Sequence, residues 1–383
     1  MTSRTPSGGG AEIPTARRHA IWPRIVAGVL IIAVTALGGA WLMHNSIDSR
    51  EEIAAQRSAA PRELLGTVKS WAYQLQGLDV AAASRSRADL LVVDEVVDAT
   101  TPGAVRRAHV RKLQAKPDGS RRLVLAYLSI GEAEDYRPYW DKTWTGTAPR
   151  TSAPAAASTP EPIFNIVGNP ANAAPMAPMT TGAASAGAPS SPGSTPAWLG
   201  DQNQEWRGNY RVRFWDPAWQ ALIFGSPEAA LERIAAAGFD GVYLDRADVY
   251  AHWLKERPTA RDDMVRMIER LSQRARALSP GFLVVLQNAE ELLGQHRMRQ
   301  AIDAVAKEDL LFGVAGAGVP NAEAEVTSSV KYLQKARKDG LPVLVVEYLS
   351  EPKKIADARR SIEALDFIPN FAPRALDRLA DER

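Results

Sequence analysis

The stretch Gly238-Phe-Asp-Gly-Val-Tyr-Leu-Asp-Arg-Ala-Asp-Val-Tyr250 decides how the chain is read. Gly238 stands just past an apolar-periodic segment, 227–237, where a glycine commonly ends a helix. Gly241-Val-Tyr-Leu-Asp245 is short, apolar and partly β-branched, the pattern of a strand buried in a parallel sheet. The strand ends on Asp245, and Asp248 follows in the loop. Carboxylates at the C-terminal ends of parallel strands lie where α/β barrels put their chemistry. Asp245 is therefore a candidate catalytic group. The competing reading has Asp245 and Asp248 capping the next helix or pairing with Arg246.

Outward from this strand the same unit repeats. Apolar runs at 71–76, 90–94 and 123–129 precede it, with helical segments between them, including 102–114. After it come a long amphipathic helix at 261–278, strands at 282–287 and 301–306, a helix at 322–338, a strand at 343–348 and a helix at 352–365. A weaker strand at 366–371 and a terminal helix at 374–383 close the chain. Eight strands alternating with helices predict a (β/α)8 TIM barrel. An open doubly wound sheet is the alternative, but no glycine-rich phosphate loop follows the first strand.

Two segments stand apart from this pattern. Residues 1–24 are polar with Arg17, Arg18 and Arg24, and 25–43 then carry no charge, close to the roughly 20 residues that cross a bilayer. The arginines before the run predict a cytoplasmic tail, a transmembrane signal anchor and a body on the extracytoplasmic side of the cytoplasmic membrane. A cleaved signal peptide with secretion is the rival, since Ala36-Leu-Gly-Gly-Ala40 offers small residues. Residues 44–64 read as a stalk and 65–383 as the barrel. Residues 145–196, rich in Ala, Pro, Ser, Thr and Gly, read as a disordered low-complexity insertion after strand three.

Composition excludes several classes. The chain of 383 residues has no cysteine, so disulfides and thiolate metal sites are out. A formal charge of +2 gives no electrostatic case for nucleic acid. Five scattered histidines lack the spacing of a helical zinc site, so neither metal nor cofactor is expected. The chain is expected to act as a monomer.

Acids and amides recur at the proposed strand ends: Asp94, Glu132, Asp245, Asn288, Glu308 and Glu347. Side chains alternate along a strand. Gly241, Tyr243 and Asp245 share a face, as do Ile302, Ala304, Ala306 and Glu308, and Val343, Val345 and Glu347. If these faces point inward, the three acids converge at one mouth. Two carboxylates in one cleft suit glycoside hydrolysis, one as acid and the other as nucleophile or as base for water. Tyr73, Tyr127, Trp206 and Tyr210 are aromatic candidates for sugar contact, and Asp248 a polar one.

Seven stretches in order carry a family resemblance: Trp71-Ala-Tyr-Gln-Leu-Gln76, Ala126-Tyr-Leu-Ser-Ile-Gly-Glu-Ala-Glu134, Tyr210-Arg-Val-Arg-Phe-Trp-Asp-Pro-Ala-Trp219, Gly238–Tyr250, Gln287-Asn-Ala-Glu290, Lys307-Glu-Asp-Leu-Leu-Phe312 and Val345-Val-Glu-Tyr348. Together they resemble glycoside hydrolase family 114, the endo-α-1,4-polygalactosaminidase-like barrel proteins. The resemblance implies a (β/α)8 barrel that cleaves a galactosamine-containing exopolysaccharide. It places the catalytic pair on Asp245, after strand four, and Glu308, after strand six. The insertion after strand three departs from the family pattern. Asp94, Glu132, Asn288 and Glu347, with Tyr73, Tyr127, Trp206, Tyr210 and Asp248, are then expected around the polysaccharide. Two readings compete with the enzyme: a non-catalytic glycan-binding barrel in an envelope assembly, and another barrel chemistry using Lys307 as a Schiff base.

Overall fold

The computed structural model describes residues 60–98, 101–104, 107–144 and 195–379. Eight strands form one sheet in chain order: β1 (Trp71–Gln74), β2 (Leu90–Asp94), β3 (Leu123–Ser129), β4 (Gly241–Asp245), β5 (Leu283–Gln287), β6 (Ala304–Glu308), β7 (Val343–Glu347) and β8 (Ile368–Phe371). Each neighbouring pair along this order is parallel. The Trp71 indole of β1 donates to the Ile368 carbonyl of β8 at 2.9 Å, drawing the two ends of the sheet together. The result is the nearly closed barrel that the alternating pattern predicted.

Two apolar layers hold it. Inside, Trp71, Tyr73, Leu90, Val92, Leu125 and Tyr243 are among the residues that fill the lumen. Their neighbours in sequence, such as Leu91, Val93, Val242 and Leu244, face the surrounding helices. Both faces of strands such as β2, β3, β5 and β7 are therefore buried, which is why they read as continuous apolar runs. Gly238 ends the helix Ala230–Ala237 in the left-handed region, φ 87°, as the sequence required. Asp216 caps the helix Pro217–Ile223 through the Ala218 N–H at 2.8 Å.

Several boundaries differ from the sequence reading. Pro61–Leu65 is a helix whose Leu64 and Leu65 pack into the lower end of the lumen, so residues read as the end of a stalk belong with the barrel. The expected helix at 102–114 is shorter, Arg107–Leu113, because Thr101–Ala104 pairs antiparallel with Val96–Asp98. The sixth strand starts at Ala304, since Ala301 ends the helix His296–Ala301. No helix forms over 374–379. Glu132–Glu134, Asn209–Val212 and Leu199–Gln202 make a small antiparallel sheet that the sequence did not announce.

Among the described residues, no helix is long and apolar enough to cross a membrane. The proposed anchor at 25–43 lies outside the described residues, and so does the insertion from 145 to 194.

Candidate active site

Alternation along the strands decides what reaches the mouth of the barrel. On β4, Asp245 continues the inward face of Tyr243; on β6, Glu308 continues that of Ala304 and Ala306. Both carboxylates line a pocket of about 570 Å³ at the C-terminal ends of the strands. Tyr73, Asp94, Tyr127, Glu132, Trp206 and Asn288 of the expected set also line it.

The two acids are held by separate sets of donors. Tyr127 donates its hydroxyl to Asp245 Oδ2 at 2.8 Å, and the Arg246 backbone N–H donates to Oδ1 at 2.7 Å. Glu308 accepts from the Asn288 amide through Oε2 at 3.1 Å and from the Tyr348 hydroxyl through Oε1. The Asn288 carbonyl oxygen in return accepts the Glu308 N–H at 3.1 Å, so the amide orientation is fixed. Burial first, then the charge of Glu308, pushes Asp245 up to about 7, against the Arg246 guanidinium and the Tyr127 hydrogen bond. The negative charge of Glu308 in the same pocket thus opposes ionisation of Asp245.

The wall on the β3 side is built from internal ion pairs. Glu132, fully buried, accepts from Asn203 at 2.9 Å and pairs with Arg246 at 3.0 Å. Asp94 takes both prongs of Arg137 at 2.8 Å each, and the same guanidinium binds Glu134. Trp206 and Tyr136 stand on the rim with 52% and 45% of their surface exposed. Open aromatic faces of this kind suit stacking on sugar rings.

Three expected contacts fall elsewhere. Glu347 lies on the outward face of β7 with Val343 and Val345 and is fully buried there. Its carboxylate accepts the Leu311 N–H at 2.7 Å and the Phe312 N–H at 3.3 Å, and burial pushes it up to about 7. It braces the loop after β6 and does not line the pocket. Tyr210 is covered by Trp140, whose ring centre is 4.7 Å away. Asp248 lies outside the pocket lining, 3.6 Å from Arg246. Lys307 alternates away from Glu308 and sits 3.6 Å from Glu290, which leaves no pocket lysine for a Schiff base among the described residues.

Sequence reasoning missed Tyr348, Arg246 and Arg374 as pocket residues. Tyr348 adjoins the expected Glu347 and takes the inward position in its place. Arg246 sits at φ 63°, a strained left-handed backbone for a residue that is not glycine, directly after Asp245.

Comparison with known proteins gives the family and a matching fold. The model of glycoside-hydrolase family GH114 matches residues 174–382. The chain belongs to this family. The hydrolase is 32% identical over 319 residues to an uncharacterised protein of Deinococcus radiodurans, covering 82% of this chain and 83% of that one. It is 31% identical over 317 residues to one of Methanocaldococcus jannaschii, covering 80% and 72%. Among solved structures, the glycoside hydrolase domain of PelA from Pseudomonas aeruginosa superposes with a TM-score of 0.51 at 19% identity, over 81% of this chain and 97% of that one, which supports the shared fold. The protein is a glycoside hydrolase with a (β/α)8 barrel.

Proposed function

We propose that the hydrolase cleaves glycosidic bonds within a galactosamine-containing exopolysaccharide, with Asp245 and Glu308 as its acid/base pair. The observation that carries the reading is the meeting of these two carboxylates, each with its own donors, in one pocket. Asp245 works as the anion, attacking the anomeric carbon or deprotonating the water that does. A backbone N–H, which can only donate, and the nearby Arg246 guanidinium both favour its charged form. Glu308 gives its proton to the leaving oxygen. Its Tyr348 partner is a hydroxyl that rotates between donating and accepting as that proton leaves and returns. Asp94, Glu132, Tyr73 and Trp206 form the surrounding wall that receives the polymer.

The test is a reducing-end assay on purified polysaccharides of differing acetylation, with Asp245→Asn and Glu308→Gln alongside, and proton NMR of the first anomer released. Cleavage of a galactosamine polymer that either substitution lowers by about a hundredfold or more is expected. A wild type that binds a glycan but cleaves none would make the barrel a binding module. We also propose that 25–43 tethers the barrel outside the cytoplasmic membrane. Recovery of the full-length chain in the soluble fraction, or resistance to external protease in intact spheroplasts, would refute the tether.

A further inference from the structure

The chain after β8 does not leave the barrel. Arg374, Ala375 and Leu376 form part of the pocket wall. Backbone pairing holds them there: the Leu75 and Gln76 N–H groups donate to the Leu376 carbonyl at 2.9 and 3.0 Å. The Gln74 amide donates to the Asp377 carbonyl at 3.1 Å. From this fixed segment Arg374 reaches across the mouth. Its Nη2 donates to both oxygens of Asp309, at 2.9 and 2.8 Å. Its guanidinium carbon lies 4.5 Å from the centre of the Tyr348 ring. The Tyr348 hydroxyl donates to Glu308. Asp309 directly follows Glu308, with its backbone in the left-handed region at φ 50° and its N–H on the Val346 carbonyl at 3.0 Å. Four residues thus close a ring: Glu308, Asp309, Arg374 and Tyr348.

We propose that Arg374 is a positioning residue for hydrolysis. Clamped by Asp309, its planar face packs on Tyr348 and fixes the hydroxyl that holds Glu308. The argument rests on reading Glu308 as the proton donor. Stability alone does not account for the arrangement. The Arg374 side chain is 46% exposed, and exposed ion pairs contribute little to folding. Lysine could meet Asp309 but would offer no plane to stack, so the role is specific to arginine.

The test compares Arg374→Ala, Arg374→Lys, Tyr348→Phe and the double variant Arg374→Ala/Tyr348→Phe, by steady-state kinetics on the cleaved polymer and by melting temperature. Arg374→Ala is expected to lower kcat by about ten- to a hundredfold, the scale of losing alignment by up to an ångström, with KM and melting temperature little changed. Lysine does not restore the rate. In the Tyr348→Phe background, Arg374→Ala has no further effect, because the arginine acts through that hydroxyl. A raised KM with kcat intact, full rescue by lysine, or multiplicative losses in the double variant would overturn the proposal. Glu308→Gln is measured in parallel. If it keeps the wild-type kcat, the reading of Glu308 fails; if it is inactive while Arg374→Ala is normal, only the role of Arg374 fails.

Discussion

Replacing Tyr127 by phenylalanine removes one oxygen and tests the electrostatics of the pair. The ring is buried in the lumen wall and keeps its packing, while its hydroxyl donates to Asp245 at 2.8 Å. A hydrogen bond to a charged group is worth about 1.5–3 kcal/mol. At about 1.4 kcal/mol per pKa unit, losing it raises Asp245 by about one to two units. Starting from about 7, the group moves into the range of about 8–9 in the variant. If the Asp245 anion does the chemistry, the acid limb of the kcat/KM profile moves up by the same amount. At pH 6 the variant is then about 10- to 100-fold slower, and the gap narrows as pH rises past the new limb. Rates from pH 5 to 10, with carbon NMR titration of the aspartate carboxyls, read the shift twice. An acid limb that stays in place, in a Tyr127→Phe variant that is folded, would refute the claim that this hydroxyl supports the Asp245 anion.

Asp245→Asn should stabilise the protein in a pH-dependent way. A carboxyl raised to about 7 on folding adds stability below its unfolded value near 4 and loses it as pH climbs from about 4 to 7. The ceiling is about 4 kcal/mol, and the pocket's access to water makes about 2 kcal/mol the expected gain over wild type at pH 8. Melting temperatures should agree near pH 4 and differ by about 4–8 °C at pH 8; equal values at pH 8 would count against the burial argument. Glu347→Ala strands the Leu311 and Phe312 N–H groups and should cost about 2–4 kcal/mol in chemical denaturation. KM should stay at the wild-type value, because this carboxylate is outside the pocket; a raised KM would restore it as a substrate contact. Gly131→Ala would set a Cβ 2.0 Å from the Arg246 carbonyl oxygen and 2.5 Å from Val249. The collision displaces the turn that carries Asp245, so kcat should fall by about a hundredfold and stability by about 1–3 kcal/mol. A fully active alanine variant would show that this turn gives way freely.

The barrel was legible because its strands are buried on both faces and bounded by acids, amides and glycines. The same double burial hid the register. In β7 every residue from Val343 to Glu347 is buried, so no alternation marks which face is inside. Counting inward from Val343 selects Glu347, and the fold selects Leu344, Val346 and then Tyr348. β6 was placed correctly at its end and wrongly at its start. Its apolar run begins in a helix, where Ala301 accepts from Ser272, and the chain turns at Asp303, which accepts the Val284 N–H. The terminal helix failed to tertiary pairing: the Leu376 carbonyl serves Leu75 and Gln76, and the residue sits at φ 48°. Contacts such as Arg374 with Asp309, 65 residues apart, have no local signature.

The backbone at the strand ends explains why Asp245 and Glu308 are held so firmly. β4, β5 and β6 are each followed at once by a residue other than glycine in the left-handed region: Arg246, Asn288 and Asp309, with φ of 63°, 55° and 50°. Outside asparagine and aspartate such a conformation costs on the order of 1 kcal/mol or more and persists only where the surroundings enforce it. Each also supplies a contact to the site. Arg246 gives its N–H to Asp245, Asn288 gives its amide to Glu308, and Asp309 grips Arg374. The left-handed turn sends the chain sideways directly after the inward residue. The next side chain or amide can then double back on the carboxylate instead of continuing up and away from it. Asn288 adopts this conformation at little cost, whereas Arg246 does not. The strain therefore concentrates on the residue beside Asp245, where a fixed N–H is worth most to the anion.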